Sequence, residues 1–244
     1  GVTADADAAG RACAALLHAT PPARQFAPLY LCRILVRSEA FATAFLDGEA
    51  FQGGPSQGGL GALLSGALAD GSPAAAKSAR VLGLTSLANL AGAPHGVKLL
   101  LAEERGPLWL QLHARAVELA LHDEPDTASA AAALWYNLAL ELPLPGTDDA
   151  WGELWSGCLA LPMRHAQRHQ GDLGAHRETA RRLLLCVGQL LVRGGDEARG
   201  LALSVELPEA LELLRTSPLC TSPLCADDAA FAALVGEVRS LLVE

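Results

Sequence analysis

The sequence predicts an all-α fold of stacked helical repeats, and three observations carry that expectation. Apolar residues make up 51% of the 244, yet only 5% are aromatic, and the apolar share is chiefly Ala and Leu, both strong helix formers. No segment shows sustained alternation with a period of two, so no strand is expected. Helical patterns punctuated by Pro, Gly and Asp or Ser caps run from one end of the chain to the other.

A first helix is expected over residues 5–18, stopped by Pro21 and Pro22. A second covers 26–37, with Tyr30, Leu31, Ile34 and Leu35 as its apolar face. Ser38 is placed to cap a short helix that carries Phe41 and Phe45 and ends near Gly48. Gly48, Gly53, Gly54, Gly58 and Gly59 then predict the most flexible interior stretch. Helix resumes at 60 and ends by Gly71. Ser72-Pro73 reads as an N-cap followed by proline at the first helical position, opening a helix to about 90. Pro94 and Pro107 restart helices that run through Leu101 and Leu121. After the break at 123–126, a long helix over 127–142 runs up to Pro143 and Pro145. Further helices are expected at 149–161, 173–192, 196–205, 208–214 and 227–242. The tandem Thr216–Cys220 and Thr221–Cys225, TSPLC twice over, reads as an expanded loop with incidental thiols.

Four helices share a local pattern, a non-aliphatic residue set among apolar ones. The segments are Leu31-Cys32-Arg33-Ile34-Leu35, Leu87-Ala88-Asn89-Leu90-Ala91, Trp135-Tyr136-Asn137-Leu138-Ala139 and Cys186-Val187-Gly188-Gln189-Leu190. Placing Arg33, Asn89, Asn137 and Gly188 in register gives spacings of 56, 48 and 51 residues, or two to three helices per unit. Such a unit cannot bury its own apolar face, so neighbours must stack and expose an extended binding surface.

Composition and motifs argue against several classes of function. Lys and Arg total 18 against 27 Asp and Glu, a net charge of -9 that repels phosphate backbones, so no nucleic-acid partner is expected. No membrane partner is expected either, since the longest unbroken apolar run, residues 130–136, is far too short to span a bilayer. Cys13, Cys32, Cys158, Cys186, Cys220 and Cys225 form no CxxC pair, which fits a reducing compartment, cytoplasmic or nuclear. The chain opens on glycine with Asp5 and Asp7 rather than a signal sequence, and it is expected to be part of a longer protein.

Gly54-Pro55-Ser56-Gln57-Gly58 matches the nucleophile elbow G-x-S-x-G. The elbow needs a preceding strand, so Ser56 is expected to be inert and the chain is not expected to be an enzyme. His165 and His169, four apart, would share a helix face. No HExxH glutamate and no third ligand accompany them, so a solvated face is expected rather than a metal. No cofactor is expected. Residues 163–182 carry Arg164, His165, Arg168, His169, His176, Arg177, Arg181 and Arg182 against Asp172 and Glu178. This local reversal of sign suits an acidic peptide or a terminal carboxylate, and equally a basic face paired with acidic neighbours. Asn89 and Asn137 lie within apolar faces and need partners. They either cap a neighbouring helix, the favoured reading, or reach a ligand backbone.

Four stretches resemble the PUL domain, the C-terminal armadillo-like module of phospholipase-activating protein and its relatives. Residues 26–36 (FAPLYLCRILV) look like the family's opening helix. Residues 82–89 (LGLTSLAN), followed by 96–100 (GVKLL), are similar to its central helix pair. Residues 132–137 (AALWYN) and 182–188 (RLLLCVG) look like two later repeats. The resemblance implies one armadillo-like helical-repeat solenoid over residues 1–244, with 1–19 as an extra N-terminal helix. It also implies a function: binding the acidic C-terminal tail of the valosin-containing AAA ATPase in ubiquitin-dependent processing. Arg182, Lys98 and Arg33 look like the family's basic positions, and Asn89 and Asn137 would lie along the groove floor. Thr85 stands where the family carries arginine, and Arg80, just over one turn earlier, compensates only in part. Domains of this kind look to be fused to thioredoxin-like or thiol-peptidase modules in plants and algae. A structural or targeting domain of such a fusion, binding nothing acidic, and a hydrolase are the other readings.

Overall fold

The computed structural model describes residues 2–47, 58–69, 77–100, 106–140, 142, 149–221 and 226–243. Among these residues lie thirteen α-helices, one 3-10 turn and no strand, so the expected all-α class holds. The chain forms two compact units, Gly1–Ala116 and Val117–Glu244.

The first unit holds α1 (Val2–Ala19), the 3-10 turn Pro22–Arg24, α2 (Phe26–Leu35), α3 (Glu39–Asp47), α4 (Gly58–Ser65), α5 (Lys77–Ala91) and α6 (Gly96–Leu100). The boundary between the units falls within α7 (Gly106–Ala120). α1 packs chiefly on α3 and α4, and α2 packs on α5. Glycine is required where α1 meets α3, because a Cβ at Gly10 would sit 2.5 Å from the Phe41 carbonyl oxygen. Leu29, Phe41, Phe45, Leu60, Leu84 and Leu87 are sealed from solvent in this core. Burying a side chain of this size contributes roughly 1.5–3 kcal/mol. Buried Gln25 closes the end of α1 by donating Nε2 to the carbonyls of Leu17 and Thr20, at 2.8 and 3.0 Å. Arg115 does the same for the turn after α4 through the carbonyls of Leu68 and Ala69.

The second unit holds α8 (Pro125–Ala139), α9 (Asp149–Arg168), α10 (Arg177–Ser204), α11 (Leu207–Thr216), α12 (Pro218–Thr221) and α13 (Ala226–Ser240). α10 is its spine, packed on α8, α9 and α13. Trp135 and Trp155 are fully buried within this unit. Proline opens α8 at its first position, where the missing N–H has no helical acceptor to lose.

Several boundaries differ from expectation. Helix α9 runs through Pro162 to Arg168 instead of stopping at Leu161, because its packing outweighs one lost backbone hydrogen bond. The helices expected at 173–192 and 196–205 do meet at a break, Gly195, whose φ of 53° and ψ of -134° lie outside the helical region; the first starts later than expected, at Arg177, and the pair is numbered together as α10. α4 ends at Ser65, short of Gly71. The first TSPLC copy runs into the one-turn α12 rather than a loop. Ser56, Ser72-Pro73, most of the glycine-rich stretch and residues 222–225 of the second TSPLC copy lie outside the described residues. No helix among the described residues is long and apolar enough to cross a membrane.

Candidate functional site

In each unit a helix–helix seam brings together residues about fifty positions apart. In the first unit, Asn89 on α5 donates Nδ2 to the Arg33 carbonyl at 2.8 Å. That carbonyl is in the last turn of α2, where no helical N–H reaches it, so the asparagine caps a neighbouring helix. Ser86 Oγ bonds to Leu82 O within α5 at 2.8 Å and lies 3.4 Å from Leu29 O on α2. Two of the residues placed in register from the sequence, 33 and 89, are therefore in direct contact.

In the second unit the corresponding seam joins α8 to α10. Cys186 Sγ lies 3.5 Å from the Trp135 carbonyl. Arg182 donates to the Ser129 carbonyl at 2.9 Å and to Glu178 at 2.6 Å. Arg193 reaches the carbonyls of Ala139 and Leu142, closing the end of α8. Asn137 is half-buried on α8.

The expected ligand-binding residues are thus placed unequally. Arg33 and Lys98, both in the first unit, are exposed and make no ion pair among the described residues. The Arg33 guanidinium lies 6.0 Å from the Tyr30 ring, a cation–π contact at the edge of the usual range. Around it α2 turns Phe26, Tyr30, Leu31 and Ile34 outward, each 47–55% exposed. Arg80 is buried, at 7% exposure. The Thr85 hydroxyl is bonded to Val81 O one turn back, at 2.7 Å. In the second unit Arg182 is already engaged at the α8–α10 seam.

The basic stretch at 163–182 is less cationic at the surface than its composition suggests. Arg168 pairs with Asp123 at 3.0 Å. Arg181 and Arg182 both pair with Glu178, and together they hold its carboxyl below the usual range. His165, His169 and His176 are buried, which corrects the expectation of a solvated face. Burial, reinforced by the two neighbouring rings, pushes His165 down to about 3, and burial lowers His169 as well. The sequence held a signal for this burial: His165 and His169 continue the apolar stripe of Cys158, Leu159, Pro162 and Ala166 on α9. His176 was the partner that sequence reasoning missed. Beside this turn, a groove of about 610 Å³ is lined by Arg177, Glu178, Arg181, Leu185, Phe231 and Leu234.

Helical repeats tied by inter-repeat caps, with cations left over at the surface, define a protein-interaction scaffold. The chain belongs to the PUL domain family, whose model matches residues 3–221. The match takes in α1 and ends with α12. Among solved structures the chain is similar to a designed armadillo repeat protein at 14% identity and a TM-score of 0.41, covering 95% of this chain and 99% of that one. A crystallised engineered protein is similar at 14% identity and a TM-score of 0.43, with 97% and 99% covered. No curated protein sequence matches the chain.

Proposed function

We propose that this domain binds an acidic C-terminal peptide, the tail of the valosin-containing AAA ATPase, in ubiquitin-dependent processing, and catalyses nothing itself. The observation that carries the reading is the exposure of Arg33 and Lys98 without a carboxylate partner among the described residues, in a chain of net charge -9. Cations held free in an acidic protein favour an anionic ligand, and arginine offers a fork that matches a carboxylate. The exposed apolar face beside Arg33 suits apolar side chains of the same peptide. Asn89 uses its Nδ2 on Arg33, which leaves its Oδ1 to accept from a peptide N–H. Within the first unit Arg80 supports the surface from beneath; within the second, Arg182 and Asn137 are the candidate contacts. The expected setting is the cytoplasm or the nucleus.

One observation favours the alternative, a structural or targeting domain of a redox or thiol-peptidase fusion that binds nothing acidic. Thr85 stands at the family's arginine position with its hydroxyl bonded to its own helix, and Arg80 is buried. Calorimetric titration with the ATPase tail peptide decides between the two. Binding that weakens with salt, and about tenfold in each of Arg33→Ala and Lys98→Ala, supports tail recognition, a charge-assisted hydrogen bond contributing roughly 1.5–3 kcal/mol. No heat from a folded chain at submillimolar peptide leaves the structural reading.

A further inference from the structure

The turn between α9 and α10 gathers three histidines. His165 lies in the last turn of α9, His169 directly follows that helix with its N–H donating to the His165 carbonyl at 3.0 Å, and His176 precedes the first residue of α10. The ring centroids of His165 are 4.8 Å from those of His169 and 5.5 Å from those of His176, while His169 and His176 stack at 3.7 Å. One ring nitrogen from each lies within 4.8 Å of the other two. All three residues are sealed, at 1%, 7% and 2% exposure.

Their hydrogen bonding is unusually incomplete. Both nitrogens of His165, Nε2 of His169 and Nδ1 of His176 are buried with no hydrogen-bond partner. A neutral imidazole carries one donor and one acceptor, so His165 leaves both unmet, an arrangement that folded proteins avoid. His169 Nε2 and His176 Nδ1, buried without partners beside both nitrogens of His165, leave a ring nitrogen of each histidine available to a ligand. Arg168, the residue before His169, is paired with Asp123, which offsets its charge.

We propose that His165, His169 and His176 form a binding site for one divalent transition metal of the zinc class, which pins the α9–α10 turn. Three imidazoles without a thiolate suit Zn²⁺ and the neighbouring divalent ions. Zinc–nitrogen bonds of about 2.0–2.1 Å require nitrogens about 3.3 Å apart in a tetrahedron, so small ring rotations close the site. Water takes the fourth position. The role is structural, because the rings are buried and the ion joins two helices of one unit. The inference does not depend on tail binding.

The test uses the full 244-residue chain, free of any histidine tag and stripped with a chelator. Cobalt chloride is titrated in as a spectroscopic probe, followed by zinc chloride. One Co²⁺ per chain with the visible absorption of a tetrahedral site, displaced by Zn²⁺, is the expected result. Zn²⁺ should also raise Tm, since an ion that binds only the folded state stabilises it. His165→Phe, which fills the buried volume, and His176→Asn should each weaken Co²⁺ binding by tenfold or more while retaining the helical circular dichroism. A stripped, folded wild-type chain that shows neither cobalt absorption nor a Tm rise overturns the proposal, whatever the variants do. So does metal binding undiminished in a folded variant, which would place the ion elsewhere.

Discussion

The α2–α5 seam of the first unit and the α8–α10 seam of the second join helices at similar sequence separation by opposite means. The first uses short groups, the Asn89 amide and the Ser86 hydroxyl. The second uses long arms, Arg182 and Arg193, which extend across to carbonyls on and just beyond α8. Where a polar amide closes the seam, the nearby cations Arg33 and Lys98 are left at the surface. Where arginines close it, part of their donor capacity is used within the protein itself. A count of basic residues therefore overstates how much of the second unit can meet an acidic ligand.

The largest expected effect probes the apolar base beneath the polar ties. Trp135→Ala removes a side chain with no solvent exposure from α8 and should cost about 3–5 kcal/mol in urea denaturation. A loss below 1 kcal/mol would mean that the second seam rests on its arginines alone. Next comes Arg193→Ala, which strips the end of α8 of a charged donor and should cost about 2–3 kcal/mol. Asn89→Ala removes one neutral bond and should cost about 1 kcal/mol. If Asn89→Ala proved as damaging as Arg193→Ala, the distinction between the two seams would fail.

Arg182→Ala sharpens the comparison, because Arg182 stands both at a seam and in the proposed ligand set. About 1–2 kcal/mol of stability should go with it, since its contacts are part-exposed. Tail binding, measured in parallel, should fall by about tenfold. A stability loss with unchanged affinity removes it from the ligand set and leaves recognition to the first unit. Lys98→Ala should shift stability by less than about 0.5 kcal/mol, as expected of an exposed side chain, while weakening the peptide. The smallest effect is chemical. Cys32 at the first seam and Cys158 beside the second should both resist maleimide in the folded chain. Burial raises the Cys32 thiol; a hydrogen bond with Cys186, then burial, raises that of Cys158, so neither forms thiolate readily. Rapid labelling of either would show its seam opening.

Most of the helices were legible in the sequence because their causes are local. Apolar spacing, proline at N1 and glycine at the bends act within one or two turns, so the all-α class and most boundaries followed, and so did the register of Arg33 with Asn89. The misplaced end of α9 shows the limit. Pro162 is a local stop signal, and only packing on α10 and α11 explains why the helix passes through it. Burial of His165 and His169 was missed although they were placed on one helix face, because a polar side chain in a periodic pattern does not by itself say whether that face is covered. The arrival of His176 depends on how the chain turns between α9 and α10, which no periodicity encodes. The engagement of Arg182 depends on the carbonyl of Ser129, 53 residues away, being within reach. The sequence by itself determined which segments are helical, because that follows from the backbone's own period, but not which faces are covered, since Tyr30, Leu31, Ile34 and Leu35 on the expected apolar face of α2 stay exposed. Only the tertiary structure decided which polar groups find partners and which cations stay exposed, because those depend on distances between segments that share no local pattern.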